Sequence, residues 1–155
     1  MPLPSLFAAP LLLLALTGCS GQSFNADTGL SDCVPGTIGS IGIGVVNSSD
    51  DPISIEGIVA NSVDGAEVVD RWFTAADVEE IDDGADVVFG GDRLSSEAAP
   101  LELGDLMIEP GDAGYVTIAI ERTGAADGVL DGVTITTDGR ELPAPVGLRV
   151  SDSCD

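Results

Sequence analysis

Beyond residue 37, apolar residues recur mostly at every second position, the period of a strand with one buried face. Ile38 to Val46 sets Ile41, Ile43 and Val45 on one side, and Ile53 to Ala60 alternates Ile53, Ile55 and then Val59 across Gly57. In Ala66 to Phe73, Val69 and Phe73 lie opposite Val68 and Trp72. Tyr115 to Glu121 is the most regular run, with Val116, Ile118 and Ile120 facing away from Tyr115, Thr117, Ala119 and Glu121. Val133 to Thr137 and the series Val146, Leu148, Val150 read as closing strands, while Val87-Val88-Phe89 and Leu101 to Ile108 are shorter or broken. Turn clusters separate the runs at Asn47 to Pro52, Asn61 to Gly65 and Glu109-Pro110-Gly111-Asp112. Asp138-Gly139 is a hairpin signal, because both central positions of a type I′ turn need φ > 0. Pro143 and Pro145 cannot donate to a ladder, which puts the start of the last strand at a sheet edge or outside the sheet. Thr74-Ala75-Ala76-Asp77 has an N-cap with an acid three residues on, predicting one short helix near 75–82. About seven short strands with frequent turns predict an all-β chain, an immunoglobulin-like antiparallel β-sandwich.

The N-terminal stretch follows another pattern. Leu3 to Leu16 is almost wholly apolar, a run of about 14 residues where a spanning helix needs about 20. That length suits the core of a secretory signal peptide, although no Lys or Arg precedes it as usual. The tetrad Leu16-Thr17-Gly18-Cys19 resembles a bacterial lipobox. The resemblance implies cleavage of residues 1–18 and diacylation of the Cys19 thiol. Two acyl chains hold a protein firmly at a membrane. Residues 19–32 are rich in Ser, Gly, Asn, Asp and Thr and read as a lipidated flexible tether, leaving 33–155 as the sandwich domain. The expected location is the bacterial cell membrane or outer envelope, outside the cytoplasm.

Charge narrows the partners. Formal net charge is −22, the basic residues are all arginine, and lysine and histidine are absent. No basic stripe exists to neutralise phosphates, which excludes nucleic acid. No polybasic patch exists for anionic headgroups, so membrane attachment falls to the acyl chains alone. With Cys19 taken by lipid, Cys33 and Cys154 remain as an even pair in an oxidising compartment and are expected to form a disulfide.

Catalytic chemistry is sparse. Without His or Lys, the common nucleophile–base pairs and His-ligated zinc sites are excluded. Met107 is expected in the core rather than as a copper ligand. Asp77, Glu79, Glu80, Asp82, Asp83 and Asp86 crowd one region, and hard cations such as calcium take several oxygen ligands. The EF-hand spacing fails there, because Ile81 and Gly90 fall where acids belong. The expected state is a solvated acidic loop without a cofactor; Asp82, Asp83 and Asp86 are the candidate ligands if an ion binds. Trp72 and Phe73 are adjacent on one strand, so one is expected in the core and the other outward; Trp72 is expected to pack under a loop, and the alternative is an exposed aromatic of the pair at a binding surface.

Three segments resemble the abnormal-spindle/hydin-like immunoglobulin domains across roughly residues 38–150. They are Val45 to Ile53 with its Asn turn, Ile108 to Asp112 followed by Val116-Thr117-Ile118, and Gly132 to Asp138 with Val146-Gly147-Leu148. Residues 74–100 depart from that pattern. The resemblance implies an accessory or interaction module and carries no catalytic residues. The function expected is that of a non-catalytic envelope lipoprotein that binds an envelope protein or cell-wall component. The alternatives are a lipoprotein that binds divalent ions or small ligands through its acidic loops, and a carboxylate-based hydrolase or enzyme accessory subunit.

Overall fold

The alternating runs pair into two sheets that bury their Ile, Val and Leu faces against each other. A computed structural model describes residues 23–24, 31–81, 87–91, 101–104 and 106–154. The first sheet runs β1 (Ser23–Phe24), β3 (Ile38–Val46), β8 (Ala113–Arg122), β5 (Ala66–Ala76), with β6 (Val87–Gly90) also on β3. The second runs β2 (Ser31–Pro35), β10 (Arg140–Ser151), β9 (Gly128–Thr137), β4 (Ile53–Asp64), β7 (Leu106–Ile108). Every pairing is antiparallel except that of β2 with β10. The chain is an all-β sandwich of immunoglobulin-like architecture. Ile41, Ile43, Val116, Ile118 and Ile120 of the first sheet join Ile55, Ile58, Leu130, Ile135 and Leu148 of the second in one buried cluster. β-branched residues dominate it, as suits a pleated and packed surface.

The two sheets differ on their outer faces. β4, β9 and β10 alternate buried and exposed positions, whereas β3 and β8 are buried nearly throughout. From β5 on one edge the chain reaches β6 on the opposite side of β3, then comes back to Leu101, which bridges Phe73. A 3-10 turn at Val78–Glu80 lies over that outer face, where the Tyr115 hydroxyl donates to the Glu80 carbonyl at 3.4 Å.

The expected packing of Trp72 is found, and the expected outward aromatic is not. Trp72 and Phe73 do face opposite ways, yet both are buried, at 1% and 5% exposure. Phe73 packs in the inter-sheet core, while Trp72 lies on the covered outer face, opposite Thr117. A β-bulge between Val68 and Asp70 also breaks the expected alternation. Val68 therefore packs with the core alongside Phe73, and Val69 is exposed.

The helix expected near 75–82 reduces to the three-residue turn, because Thr74 to Ala76 continue β5 and pair with Tyr115, Gly114 and Ala113. The cap is Asp77, whose N–H donates to Glu80 Oε2 at 3.3 Å, while the Glu80 N–H donates to the Asp77 carbonyl at 2.9 Å. Gly114 admits this packing, since a Cβ there would collide with the Phe73 ring and the Thr74 carbonyl. β4 runs on through Asn61 to Asp64, leaving Gly65 (φ +63°) as the turn. Pro143 and Pro145 fall within β10, where β2 pairs only with Gly147–Ser151 and a register shift lies between Ala144 and Gly147. The segment read as a tether contributes Ser23–Phe24 to the first sheet and the start of β2 at Ser31.

One end of the sandwich is closed by Arg122. Its Nε donates to the Ala126 carbonyl at 3.0 Å, and Nη2 to the Ala125 carbonyl at 3.1 Å. Nη1 donates to the Gly36 carbonyl at 3.2 Å and to Asp152 Oδ1 at 2.6 Å. Planar guanidinium geometry suits such a clamp. It gathers the β8–β9 loop, the β2–β3 turn and the chain beyond β10. The hydrogen bond from Arg122 holds the Asp152 carboxyl below its ordinary 3.8 and raises the arginine. A carboxylate lowered in the folded state contributes stability above its unfolded pKa and loses it as pH falls through the folded value. The Asp152→Asn protein is therefore expected to melt below the parent at neutral pH, with the two melting temperatures converging on acidification. A gap that stays constant down to acid pH would show that the carboxylate charge plays no part.

Candidate functional site

The other end of the sandwich carries the candidate site. Among the described residues the exposed large apolar side chains are Val59, Val69, Val78, Leu101, Met107 and Val129. Val78, Leu101 and Met107, exposed by 41%, 48% and 49%, line a single open depression of about 1250 Å³. Each comes from a different element. Val78 sits in the 3-10 turn that follows β5. Leu101 is fixed by two backbone hydrogen bonds, its N–H to the Phe73 carbonyl at 2.8 Å and the Phe73 N–H to its own carbonyl at 2.9 Å. Met107 opposes Ser54 in the short edge strand β7, where alternation buries the neighbouring Ile108. The placement of Met107 corrects its expected core position: β7 is an edge strand, and Met107 on its outward face is half exposed.

Phe73, Thr74, Ala113 and Tyr115 also line the depression, and Asp77, Glu80 and Asp112 add carboxylates to the lining. No arginine lies among the described residues of that lining. One wall is held by Asn47, which is fully buried. Its Nδ2 donates to the Ile108 carbonyl at 2.8 Å and the Asp51 carbonyl at 2.9 Å. Its Oδ1 accepts from the Ser49 N–H at 3.0 Å and hydroxyl at 2.7 Å. Its backbone N–H donates to the Asp112 carbonyl, and its carbonyl accepts from the Gly111 N–H. The Asn47 side chain thus fastens the β3–β4 turn to β7, and its backbone ties in the turn before β8, so the depression has a hydrogen-bonded wall rather than a loop edge.

Such an arrangement is suited to binding. Apolar side chains grouped at one surface release water on contact, and the carboxylates select for positive charge.

Of the residues singled out from sequence, Cys33 and Cys154 form the disulfide, with Cα atoms 5.6 Å apart. Phe73 reaches the site as part of its lining. Cys19, Asp82, Asp83 and Asp86 lie outside the described residues. Among the described residues, no three or more His, Cys, Asp or Glu come together to hold a metal. Sequence reasoning missed Val78, Leu101 and Met107, because each looked like an ordinary strand or helix position. A usable signal existed in the broken run 101–108, whose apolar residues do not alternate cleanly and therefore cannot all be buried by one strand. No protein-family model matches the chain, and no curated protein sequence matches it at a significant level.

Proposed function

We propose that this chain is a non-catalytic, lipid-anchored module of the bacterial cell envelope that binds another envelope component through the depression. The observation that carries the binding reading is the convergence of Val78, Leu101 and Met107 from three separate elements on one depression. Its anchoring rests on the lipobox-like Leu16-Thr17-Gly18-Cys19 after an apolar run. The similarity to abnormal-spindle/hydin-like domains agrees with an accessory role. Geometry supports one orientation. Ser23 pairs with Val46, which pairs in turn with Ala113 in the lining of the depression. The four residues from Cys19 to Ser23 can span at most about 14 Å. Acylation at Cys19 then keeps the depression end of the sandwich toward the membrane and its neighbours.

The test uses the full chain in a bacterial host fed an alkyne-labelled fatty acid. The parent is expected to take up label and sediment with membranes, and Cys19→Ala to do neither. Equal labelling of both proteins would overturn the anchoring. A photo-crosslinking residue in place of Met107 is expected to give discrete envelope adducts, and the same probe at Val129 none. Adducts at both positions, or at neither, would remove the depression from the function.

A further inference from the structure

Resting on the proposed binding role, we infer that the occupant of the depression is an extended peptide segment in which basic residues alternate with apolar ones. Three observations lead there. The exposed apolar anchors Val78, Leu101 and Met107 lie around one opening, where they can take side chains from one face of a strand-like segment. Among the described residues of the lining, the carboxylates of Asp77, Glu80 and Asp112 have no arginine beside them. A partner that buries the apolar centre therefore brings its own cations to the rim or leaves carboxylates facing it unpaired. Third, among the described residues β7 is an edge strand, paired only with β4. An extended segment laid along it finds backbone groups as well as side chains, the mode by which strands add to sheet edges.

Charge also selects against two other occupants. A second copy of this chain would bring its own large negative charge, −22 in formal terms, to an acidic rim. An anionic membrane surface would be repelled for the same reason. The basic-apolar segment is the partner for which both the centre and the rim of the depression are favourable. The salt dependence follows, because contacts between exposed charges are screened over roughly 8 Å at physiological ionic strength.

The test measures binding of the full chain, held in non-ionic detergent, to three synthetic peptides of equal length. One alternates Lys with Val, one Lys with Ser, and one Glu with Val. The Lys–Val peptide is expected to bind at least tenfold more tightly than either of the others, and more weakly as salt rises. Met107→Glu is the decisive variant. It adds a negative charge while removing an apolar anchor, so a bound segment loses at least tenfold in affinity, whereas diffuse attraction to an acidic protein would grow. Val129→Glu is the matched control and is expected to change nothing. Circular dichroism melting of both variants guards against misfolding; Met107 is half exposed, so its replacement leaves the core intact. Equal binding of Lys–Val and Lys–Ser, or unchanged or tighter binding by Met107→Glu, would overturn the inference. So would Met107-dependent partition of the Cys19→Ala chain onto zwitterionic vesicles, which would assign the depression to lipid. Failure here together with Met107-specific crosslinks in the envelope would leave the binding role standing with a different partner.

Discussion

Replacing Cys33 and Cys154 by serine is expected to remove a large share of the domain's stability and to release β2 first. The bond joins positions 121 residues apart, so it strongly restricts the unfolded chain. The chain-entropy relation gives roughly 4–5 kcal/mol for a loop of that length, with measured values commonly falling at 2–5 kcal/mol. Against a typical domain stability of about 5–15 kcal/mol, either figure is large. Local structure determines where the loss appears. β2 is an edge strand held by five parallel pairs to Gly147–Ser151, and within it only Val34 is fully buried. Without the disulfide, the chain-entropy penalty of pairing β2 falls on those few contacts and on the Arg122 clamp at Gly36. Chemical denaturation should show a lower midpoint for the double serine variant, matched by the parent under reducing conditions. Amide exchange should accelerate first at residues 31–35. A midpoint unchanged within about 0.5 kcal/mol, the usual range for a neutral surface change, would show that β2 docks without help.

The two-sheet core was legible because it is written in strict alternation. Ile41, Ile43 and Val45 on β3 and Val116, Ile118 and Ile120 on β8 stand where period two puts them. Asp138-Gly139 turns the last hairpin with φ of 48° and 70°, as its residue types require. What was hidden is non-local. Whether the outer face of a sheet meets water depends on the route of the next connection, and here the chain goes from β5 to the far side of β3 and back. Trp72 is buried on that outer face, and β5 has no exposed aromatic. The bulge at Val69 inverts the facing of half a strand through a single extra residue, a change to which composition is blind.

The candidate site was less legible than the core for a related reason. Val78, Leu101 and Met107 are separated by 23 and 6 positions and share no periodicity. Only the bridge from Leu101 to Phe73 and the pairing of β7 with β4 bring them together. Arg122 stands in no motif, yet it is the residue around which three chain segments close at the far end. Its partners are mainly backbone carbonyls, which carry no sequence signature. The lipobox-like tetrad is the reverse case. It is read by a processing machinery as a short string, so it is legible without any fold.

Asn47 gives the last prediction and joins fold to site. The turn composition Asn47 to Pro52 suggests a solvated loop, but the Asn47 side chain is fully buried and supplies four hydrogen bonds. Asn47→Ala leaves the Ile108 and Asp51 carbonyls and the Ser49 N–H without that partner, and a buried unsatisfied group costs about 1–3 kcal/mol. Partial rehydration near the surface limits the total to roughly 2–4 kcal/mol, in the range of a broken buried network. Asn47→Asp is expected to be worse at neutral pH although it is isosteric. It turns a donor that faces two carbonyls into a charged acceptor, and burial and those carbonyls both raise the pKa of the introduced carboxyl. A group whose folded pKa is raised costs nothing below its unfolded value, about 3.9 for an aspartate. Its cost then grows with pH up to the raised folded value and levels off above it. The aspartate variant should therefore approach the parent's melting temperature in acid and fall below the alanine variant near neutrality. Because the side chain holds Ile108 and the Asn47 backbone pairs with Gly111 and Asp112, and all three line the depression, loosening this corner should also cost both variants Lys–Val peptide affinity at temperatures where the core is still folded. Full retention of that affinity with a lowered melting point would mean that the wall is held by the β4–β7 ladder, and that Asn47 serves the fold alone.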